Sequence, residues 1–339
     1  MSKKNSNVNL KNGFKNFTDL SKIFLNFKYK LDSLNKKKFL VAVSGGPDSL
    51  ALVALTKAYN YQKKINFYYL LVNHNIRKNS LNEAKKVKNL LKEKKIDLKI
   101  FSNKKKITKN IQAEARSVRY EILIKYCKKH KIKTLLTAHN LEDQVETFFI
   151  RLSRGSGLKG LSSMKSLSKV DSQVRLFRPL LEVKKSFLIK ISKNVFGKYV
   201  NDPSNNDAKY LRTRIRNLKY SLEKSGVRYD QIFKSIQNLS YSRITLENYL
   251  NTIFKRTIKI DKNIISINFR KYQNLSKDTK MALLNESIKR LKNNYYDTRS
   301  KKVDNLINNL NKKNFKQATL AGCIFFKKGK NLCLKVEKL

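Results

Sequence analysis

Phe39-Leu40-Val41-Ala42-Val43-Ser44-Gly45-Gly46-Pro47-Asp48-Ser49-Leu50 is the stretch that decides how this chain folds. The five apolar residues Phe39 to Val43 run without a break, as a strand buried on both faces requires. Two glycines and a proline stop the run. Leu50, Val53, Ala54 and Ala58 then recur with the spacing of one helical face. The stretch therefore predicts a strand, a tight glycine loop and a helix N-terminus. Backbone N–H groups at such a turn have no partner inside the helix, and the helix dipole adds partial positive charge. Together they make a cradle for phosphate.

A Walker A loop would need a lysine reaching the terminal phosphates. Here the glycines are adjacent, no lysine follows, and Asp48 falls in the first helical turn. A carboxylate beside a polyphosphate is tolerable when a divalent cation bridges them, because hard cations favour carboxylate and phosphate oxygens. The plainer alternative is an aspartate capping an ordinary loop. Over Ser44, Gly45, Gly46, Pro47, Asp48 and Ser49 the chain resembles the S-G-G-x-D-S loop of the N-type ATP pyrophosphatases. Those enzymes split ATP between the α- and β-phosphates and leave an adenylated intermediate, so the resemblance implies that these six residues bind ATP.

Outward from this stretch, strands alternate with amphipathic helices. Residues 18–35 carry a helical apolar stripe, and Ile65–Val72, Ile96–Phe101 and Thr134–Ala138 read as further strands. Helical patterns cover 81–95, the residues from Ile111 to Tyr126, and those from Leu141 to Leu152. The pattern predicts an α/β fold, a parallel-sheet nucleotide-binding domain with helices on both faces and ligands at the carboxyl ends of the strands. The alternation stops near residue 155, where a Gly- and Ser-rich stretch runs to 180; a helix over 183–194 and a loop over Asn201–Asp207 follow. From about residue 225 the chain changes to Lys- and Asn-rich helical patterns (230–256, 275–293, 298–310) with β-like stretches at 258–269 and 317–337. The expected organisation is a frayed terminus over 1–19, a catalytic domain over 20–224, and a mainly helical basic accessory region over 225–339 ending in a small β-like segment.

Charge is the outlying property of the 339 residues: 76 Lys and Arg against 24 Asp and Glu, a net +52. An AT-rich genome inflates Lys, Asn and Ile, but that does not explain the shortage of acids. A chain this basic attracts polyanions, nucleic acid first among them. Cys127, Cys323 and Cys333 form no C-x-x-C pair or zinc spacing, and His74, His130 and His139 are scattered, which fits a reduced cytoplasm. No run approaches the ~18 apolar residues of a membrane span, and no leader peptide is apparent.

Thr137 to Thr147 follows the fourth strand and opens a helix. His139, Asp143 and Glu146 stand at i, i+4 and i+7, on one face. Two carboxylates at the mouth of an ATP site can hold magnesium or orient an amine; the alternative is that these acids merely cap the helix. Segment 209–219 combines Lys209, Arg212, Arg214, Arg216 and Lys219 with Tyr210, cations beside a ring that can stack on an unpaired base. Its alternative is an exposed basic helix. Gly155-Ser156-Gly157-Leu158-Lys159-Gly160 matches G-x-G-x-x-G but follows a helix instead of a strand, so it reads as a flexible substrate loop and not as a dinucleotide site. Lys36-Lys37-Lys38 and Lys104-Lys105-Lys106 read as solvated faces.

A more specific resemblance rests on several motifs in order. They are the first loop, Val72–Arg77, Glu114-Ala115-Arg116 with Arg119-Tyr120, His139–Thr147, Arg154–Leu158, Arg178-Pro179-Leu180-Leu181 and Asp202-Pro203-Ser204-Asn205. Together, over roughly residues 39–205, they look like tRNA(Ile)-lysidine synthase. The resemblance implies an enzyme, a ligase. It would adenylate the carbon-2 oxygen of the wobble cytidine in tRNA(Ile) with a CAU anticodon, and free L-lysine would then displace AMP. It further implies Asp48 and Asp143 as residues for Mg2+ and pyrophosphate, and His139 and Glu146 for ordering the base or lysine. Arg116, Arg119 and Arg154 would neutralise phosphate, the 209–219 segment and the accessory region would contact tRNA, and no obligate protein partner is required. The family usually has two aspartates where this chain has Glu142-Asp143, which leaves Asp143 as the metal residue. The chemistry is coherent: a carbonyl oxygen cannot leave until adenylation makes it a phosphate, and an amine of pKa about 10.4 must arrive unprotonated. Alternatives are a tRNA thiolase, whose cluster-dependent type needs paired cysteines, amide-forming synthetases, which do not need so basic a chain, and a non-catalytic RNA-binding relative.

Overall fold

Phe39, Leu40 and Val41 have no exposed surface, the outcome their unbroken apolar run predicts. They lie in the computed structural model, which describes residues 18–76, 79–103, 107, 111–200, 207–261, 263–292, 300–312 and 314–337. Two compact units divide between Leu239 and Ser240, later than the composition shift near residue 225.

The first unit runs α1 (Thr18–Asp32), β1 (Lys38–Val43), α2 (Pro47–Asn60), β2 (Asn66–Asn73), α3 (Ser80–Glu93), β3 (Leu98–Ser102), α4 (Ile111–Lys129) and β4 (Thr134–Leu136). It continues through α5 (Leu141–Leu152), the single turn α6 (Leu158–Leu161), β5 (Leu167–Lys169), β6 (Arg175–Phe177), α7 (Lys185–Phe196), α8 (Leu211–Asn217) and α9 (Lys219–Lys224). The sheet order is β3-β2-β1-β4-β6-β5, parallel except for β5 against β6. Alternation along β1 sorts its side chains. Phe39, Val41 and Val43 enter the core built with α1, α2, α3 and α7, while Leu40 joins Leu123, Tyr126 and Cys127 of α4 on the other face. Each such fully buried leucine or phenylalanine contributes about 1.5–3 kcal/mol.

Strands β5 and β6 correct the reading of 155–180 as plain Gly- and Ser-rich chain. Leu176 pairs in register with Leu135 of β4, and β5 folds back on β6 as the sheet's edge. β4 is also shorter than expected. Past Leu136 the Thr137 N–H still donates to Phe177 O (3.1 Å), after which the backbone turns into α5. Because β2 and β4 flank β1 on opposite sides, the chain reverses direction across the sheet at β1/β4. That crevice, at the carboxyl ends of both strands, is where open α/β sheets bind ligands.

Helix α10 (Tyr229–Thr257) carries the chain from the first unit into the second. Beyond it come β7 (Ile258–Asp261), β8 (Ile264–Asn268), α11 (Phe269–Gln273), α12 (Lys277–Lys292), α13 (Ser300–Leu310), β9 (Gln317–Leu320), β10 (Cys323–Lys328) and β11 (Asn331–Val336). The two β-like stretches, separated in the sequence, form one antiparallel sheet of order β7-β8-β11-β10-β9, with Ile265 opposite Leu334. Ile265, Ile267, Phe325 and Leu334 pack on Leu284, Ile288, Val303 and Leu310 of α12 and α13. Among the described residues no helix is long and apolar enough to cross a membrane. Residues 1–17, Arg77, Lys104–Lys106 and Asn201–Asn206 lie outside the described residues, and with them Asp202-Pro203-Ser204-Asn205.

Candidate active site

The loop after β1 is built from the inside. Gly45 has φ +87°, and a Cβ there would stand 2.5 Å from Val87 Cγ2, so conformation and space both demand glycine. Gly46 precedes α2, and Pro47 takes the first helical position, where its missing N–H costs nothing. The Ser49 hydroxyl, 5% exposed, accepts the N–H groups of Ser44 (3.2 Å) and Gly45 (3.1 Å) and donates to Gly46 O (2.9 Å). Ser49 therefore braces the loop from below, while Ser44 is exposed on it. The Val200 N–H donates to Gly45 O (3.0 Å) and holds the loop from a second side.

Asp48 stands in the first turn of α2 with its Oδ1 buried and without a hydrogen-bond partner among the described residues. Burial pushes its carboxyl up to about 6; Lys185 and Asn140 oppose the shift, and Asp143 and Glu142 add to it. Asp143 belongs to a capping box: Asn140 Oδ1 accepts the Asp143 N–H (2.9 Å), and Asp143 Oδ2 accepts the Asn140 N–H (3.1 Å). One oxygen thus serves the helix, as the plainer alternative proposes. The other, Oδ1, lies 3.9 Å from Arg212 Nη2. Two neighbouring carboxylates, one with an orphaned buried oxygen, fit a magnesium ion that keeps several waters and takes further ligands from phosphate. Among the described residues no three His, Cys, Asp or Glu side chains are arranged to hold one metal ion, so an all-protein cage of the zinc type has no basis in them.

His139 Nδ1 lies 2.9 Å from Thr137 Oγ1. Burial holds its imidazole far down, at about 3; Arg178, Arg116 and Arg212 lower it further and Asp143 opposes them. The ring is neutral at physiological pH. Arg178 is the residue that sequence reasoning left without a task. It is buried, its Nη1 donates to Lys165 O (2.8 Å) and Ser168 Oγ (3.0 Å), and its Nε has no hydrogen-bond partner among the described residues. The Arg178-Pro179 motif contained the signal, but nothing local said that the guanidinium would turn inward. Arg116 packs over the Tyr120 ring (5.1 Å), and Arg119 sits among Tyr120, Arg116 and Arg212. Arg154 is exposed on the turn closing α5 and is not among the charges that act on His139.

Three of the expected features have close partners in the fold. Glu146 is 2% exposed and ion-paired: Arg216 donates from Nε to Oε1 (2.7 Å) and from Nη2 to Oε2 (3.2 Å), and Arg212 Nε lies 2.9 Å from Oε2 without hydrogen-bond alignment. Both carboxylate oxygens are thus taken up by guanidinium groups. The same contacts take Arg212 and Arg216 off the RNA-facing stripe, and Lys219 follows them, 3.7 Å from Glu142 and 5.0 Å over the Tyr229 ring. The physical reason is burial: a carboxylate removed from water must be paired, and α8 supplies the partners. Lys209 and Arg214 remain exposed, and Tyr210 is half-buried. The Gly155–Gly160 stretch, expected to be flexible, is clipped to α5. Arg151 Nη1 donates to Gly160 O (2.7 Å) and Ser163 O (2.9 Å), and the Gln144 amide makes two bonds to the Met164 backbone (2.8 and 3.0 Å). Glu142 ties α5 to α7, with its Oε2 accepting the Lys185 N–H (2.8 Å).

Residues 18–220 match the PP-loop domain family. A tRNA(Ile)-lysidine synthase from Wolbachia pipientis wMel is 33% identical over 299 residues, which are 87% of this chain and 69% of that one. The chain belongs to the tRNA(Ile)-lysidine synthase family. It is accordingly an ATP-using enzyme of the ligase class. A second lysidine synthase, from Orientia tsutsugamushi (strain Boryong), is 44% identical over 186 residues, 55% of this chain and 42% of the relative. Among solved structures, a U34-tRNA thiolase from Methanococcus maripaludis with its [4Fe-4S] cluster superimposes with a TM-score of 0.55 at 22% identity, over 65% of this chain and 78% of that one. That likeness is one of fold. Cys127, Cys323 and Cys333 of this lysidine synthase family member are buried and form no disulfide. Burial pushes the Cys127 thiol up to about 12, away from the reactive thiolate.

Proposed function

We propose that this protein uses ATP to ligate free L-lysine to carbon-2 of the wobble cytidine of tRNA(Ile) with a CAU anticodon, in the cytoplasm. The observation that carries this reading is the pairing of an orphaned Asp48 carboxylate with Asp143 at the mouth of the glycine loop, beside a neutral His139 encircled by arginines. The loop and the α2 N-terminus receive the ATP phosphates. The cytidine carbon-2 oxygen attacks the α-phosphorus, and the bond to the β-phosphate oxygen breaks with release of pyrophosphate. Magnesium held by Asp48 and Asp143 would neutralise charge on that departing group. The lysine side-chain amine then attacks carbon-2, and AMP leaves with the former carbonyl oxygen.

The chain's own groups divide this work by their charge. His139, neutral across the physiological range, orients by hydrogen bonding and does not draw a proton. Arg178, Arg116 and Arg212 supply fixed positive charge around it, suited to a phosphate-bearing intermediate, and Arg119 adjoins Arg116 and Arg212. Glu146 acts through Arg212 and Arg216, as a positioning residue. The basic accessory region is the tRNA-binding part of this reading, supported by its share of the +52 charge.

Mass analysis of nucleosides from tRNA(Ile) incubated with the protein, ATP and lysine tests the proposal. Lysidine should appear only with all three and only with the CAU anticodon. A thiolated nucleoside formed from a sulfur donor, or no product from tRNA that binds, would refute it.

A further inference from the structure

Helices α8 and α9 meet at Leu218, which ends one and begins the other, and their cations sort onto two sides. Arg212, Arg216 and Lys219 turn toward Glu146 and Glu142. Lys209, Arg214 and Lys224 are exposed and pair with no acid among the described residues. Between these lie Tyr220, 75% exposed, and Leu218, 52% exposed. The Tyr220 ring takes part in no aromatic or cation–π contact among the described residues, in contrast to the Tyr229 ring beneath Lys219. The acid on this stretch, Glu223, lies 3.9 Å from Lys219.

We infer that the exposed surface of α8–α9 is a stacking platform for unpaired RNA, with Tyr220 as the ring on which a base rests and Arg214 and Lys224 as the phosphate contacts. The inference rests on the proposed tRNA substrate and names the part of it that this surface takes, the single-stranded anticodon loop. Charge complementarity and an unshared aromatic face are what single-stranded RNA recognition requires; a duplex hides its base faces. The buried Glu146 pairs lock the opposite side of α8, so the platform is held rigid before RNA arrives and little ordering cost falls on binding. A base that undergoes chemistry must leave its stack, and a ring beside the site offers its neighbours a replacement stack. The platform also moves the stacking role from Tyr210, half-buried, to Tyr220.

The experiment compares full-length wild type, Tyr220→Ala, Tyr220→Phe and Arg214→Ala for affinity to a CAU anticodon stem–loop and to a duplex of equal length, each across a salt series. Tyr220→Ala should weaken stem–loop binding about five- to hundredfold with an unchanged salt slope, leave duplex binding as it was, and be rescued by Tyr220→Phe. Arg214→Ala should lower the salt slope by about one. Unchanged stem–loop affinity in Tyr220→Ala overturns the platform, as does an equal loss on the duplex. Loss of self-association in Tyr220→Ala without loss of RNA affinity would overturn it too, by assigning the patch to a second copy of the chain. Lysidine formation by wild type separates the two ideas. Product together with a Tyr220→Ala variant that binds normally sinks the platform alone. No product, with stem–loop binding that depends on Tyr220, sinks the reaction and leaves the platform standing.

Discussion

Asp48 and Glu146 are carboxylates of one site in opposite surroundings. Asp48 keeps an orphaned oxygen, and burial raises its carboxyl to about 6, with Asp143 and Glu142 adding to the shift and Lys185 only partly opposing it. Glu146 is the more deeply buried of the two and has an arginine on each oxygen. The first is short of positive charge and suited to receive a cation with its phosphates. The second has its full complement and holds α8 in place. Burial alone does not make an acid functional; the cation count around it does.

Replacing the acid that lacks a partner should have the largest effect. Asp48→Asn keeps the shape and removes the charge, so ATP-dependent pyrophosphate release should fall at least about 10²–10³-fold while tRNA affinity stays the same. Release at the wild-type rate would erase the distinction between the two acids.

Glu146→Gln should act on stability before chemistry, because it strands two guanidinium groups. Breaking a fully buried pair costs about 3–5 kcal/mol. The loss here should be smaller, since Arg212 and Arg216 keep side-chain exposures of 35% and 34%. A lowered urea midpoint with an unchanged slope is expected; unaltered stability with abolished activity would make Glu146 a direct participant instead.

Acid titration separates Asp48 from His139 with a smaller signal. The Asp48 carboxyl is raised from 3.8 to about 6, so the folded state binds the extra proton and this group's contribution is lost as pH rises through that window. The His139 imidazole is lowered from 6.5 to about 3, so its contribution is present above 6.5 and is lost as pH falls. The unfolding temperature should therefore rise more steeply between pH 4 and 7 in Asp48→Asn than in wild type, and less steeply in His139→Asn. Parallel curves for all three proteins would contradict both assignments. The smallest effect is expected at Arg154, exposed and outside the His139 charge set: Arg154→Ala should change turnover less than about twofold, within the range of ordinary surface substitutions.

The loop from Phe39 to Ser49 was legible because its determinants are local: an apolar run, a glycine that must adopt φ +87°, and a proline where no N–H is needed. Strands β5 and β6 were not, since three residues acquire strand character only by pairing with β4 and with each other. The tie between 258–269 and 317–337 was hidden for the same reason, as Ile265 and Leu334 meet only in the folded sheet. In 209–219 a composition of alternating cations reads alike whether they face water or acid. The spacing of Arg212, Arg216 and Lys219 placed them on one helical side, but not which side Glu146 would occupy.

By itself the sequence determined the glycine loop, the parallel sheet around it, the family, and the position of the acids and histidine after the strand ends, because short-range periodicity and backbone sterics act between near neighbours. Only the tertiary structure decided which acid is left wanting a cation, which arginines are consumed as counter-ions, and which tyrosine faces outward. Those outcomes depend on desolvation and on charges brought together from distant parts of the chain, and no local pattern records either.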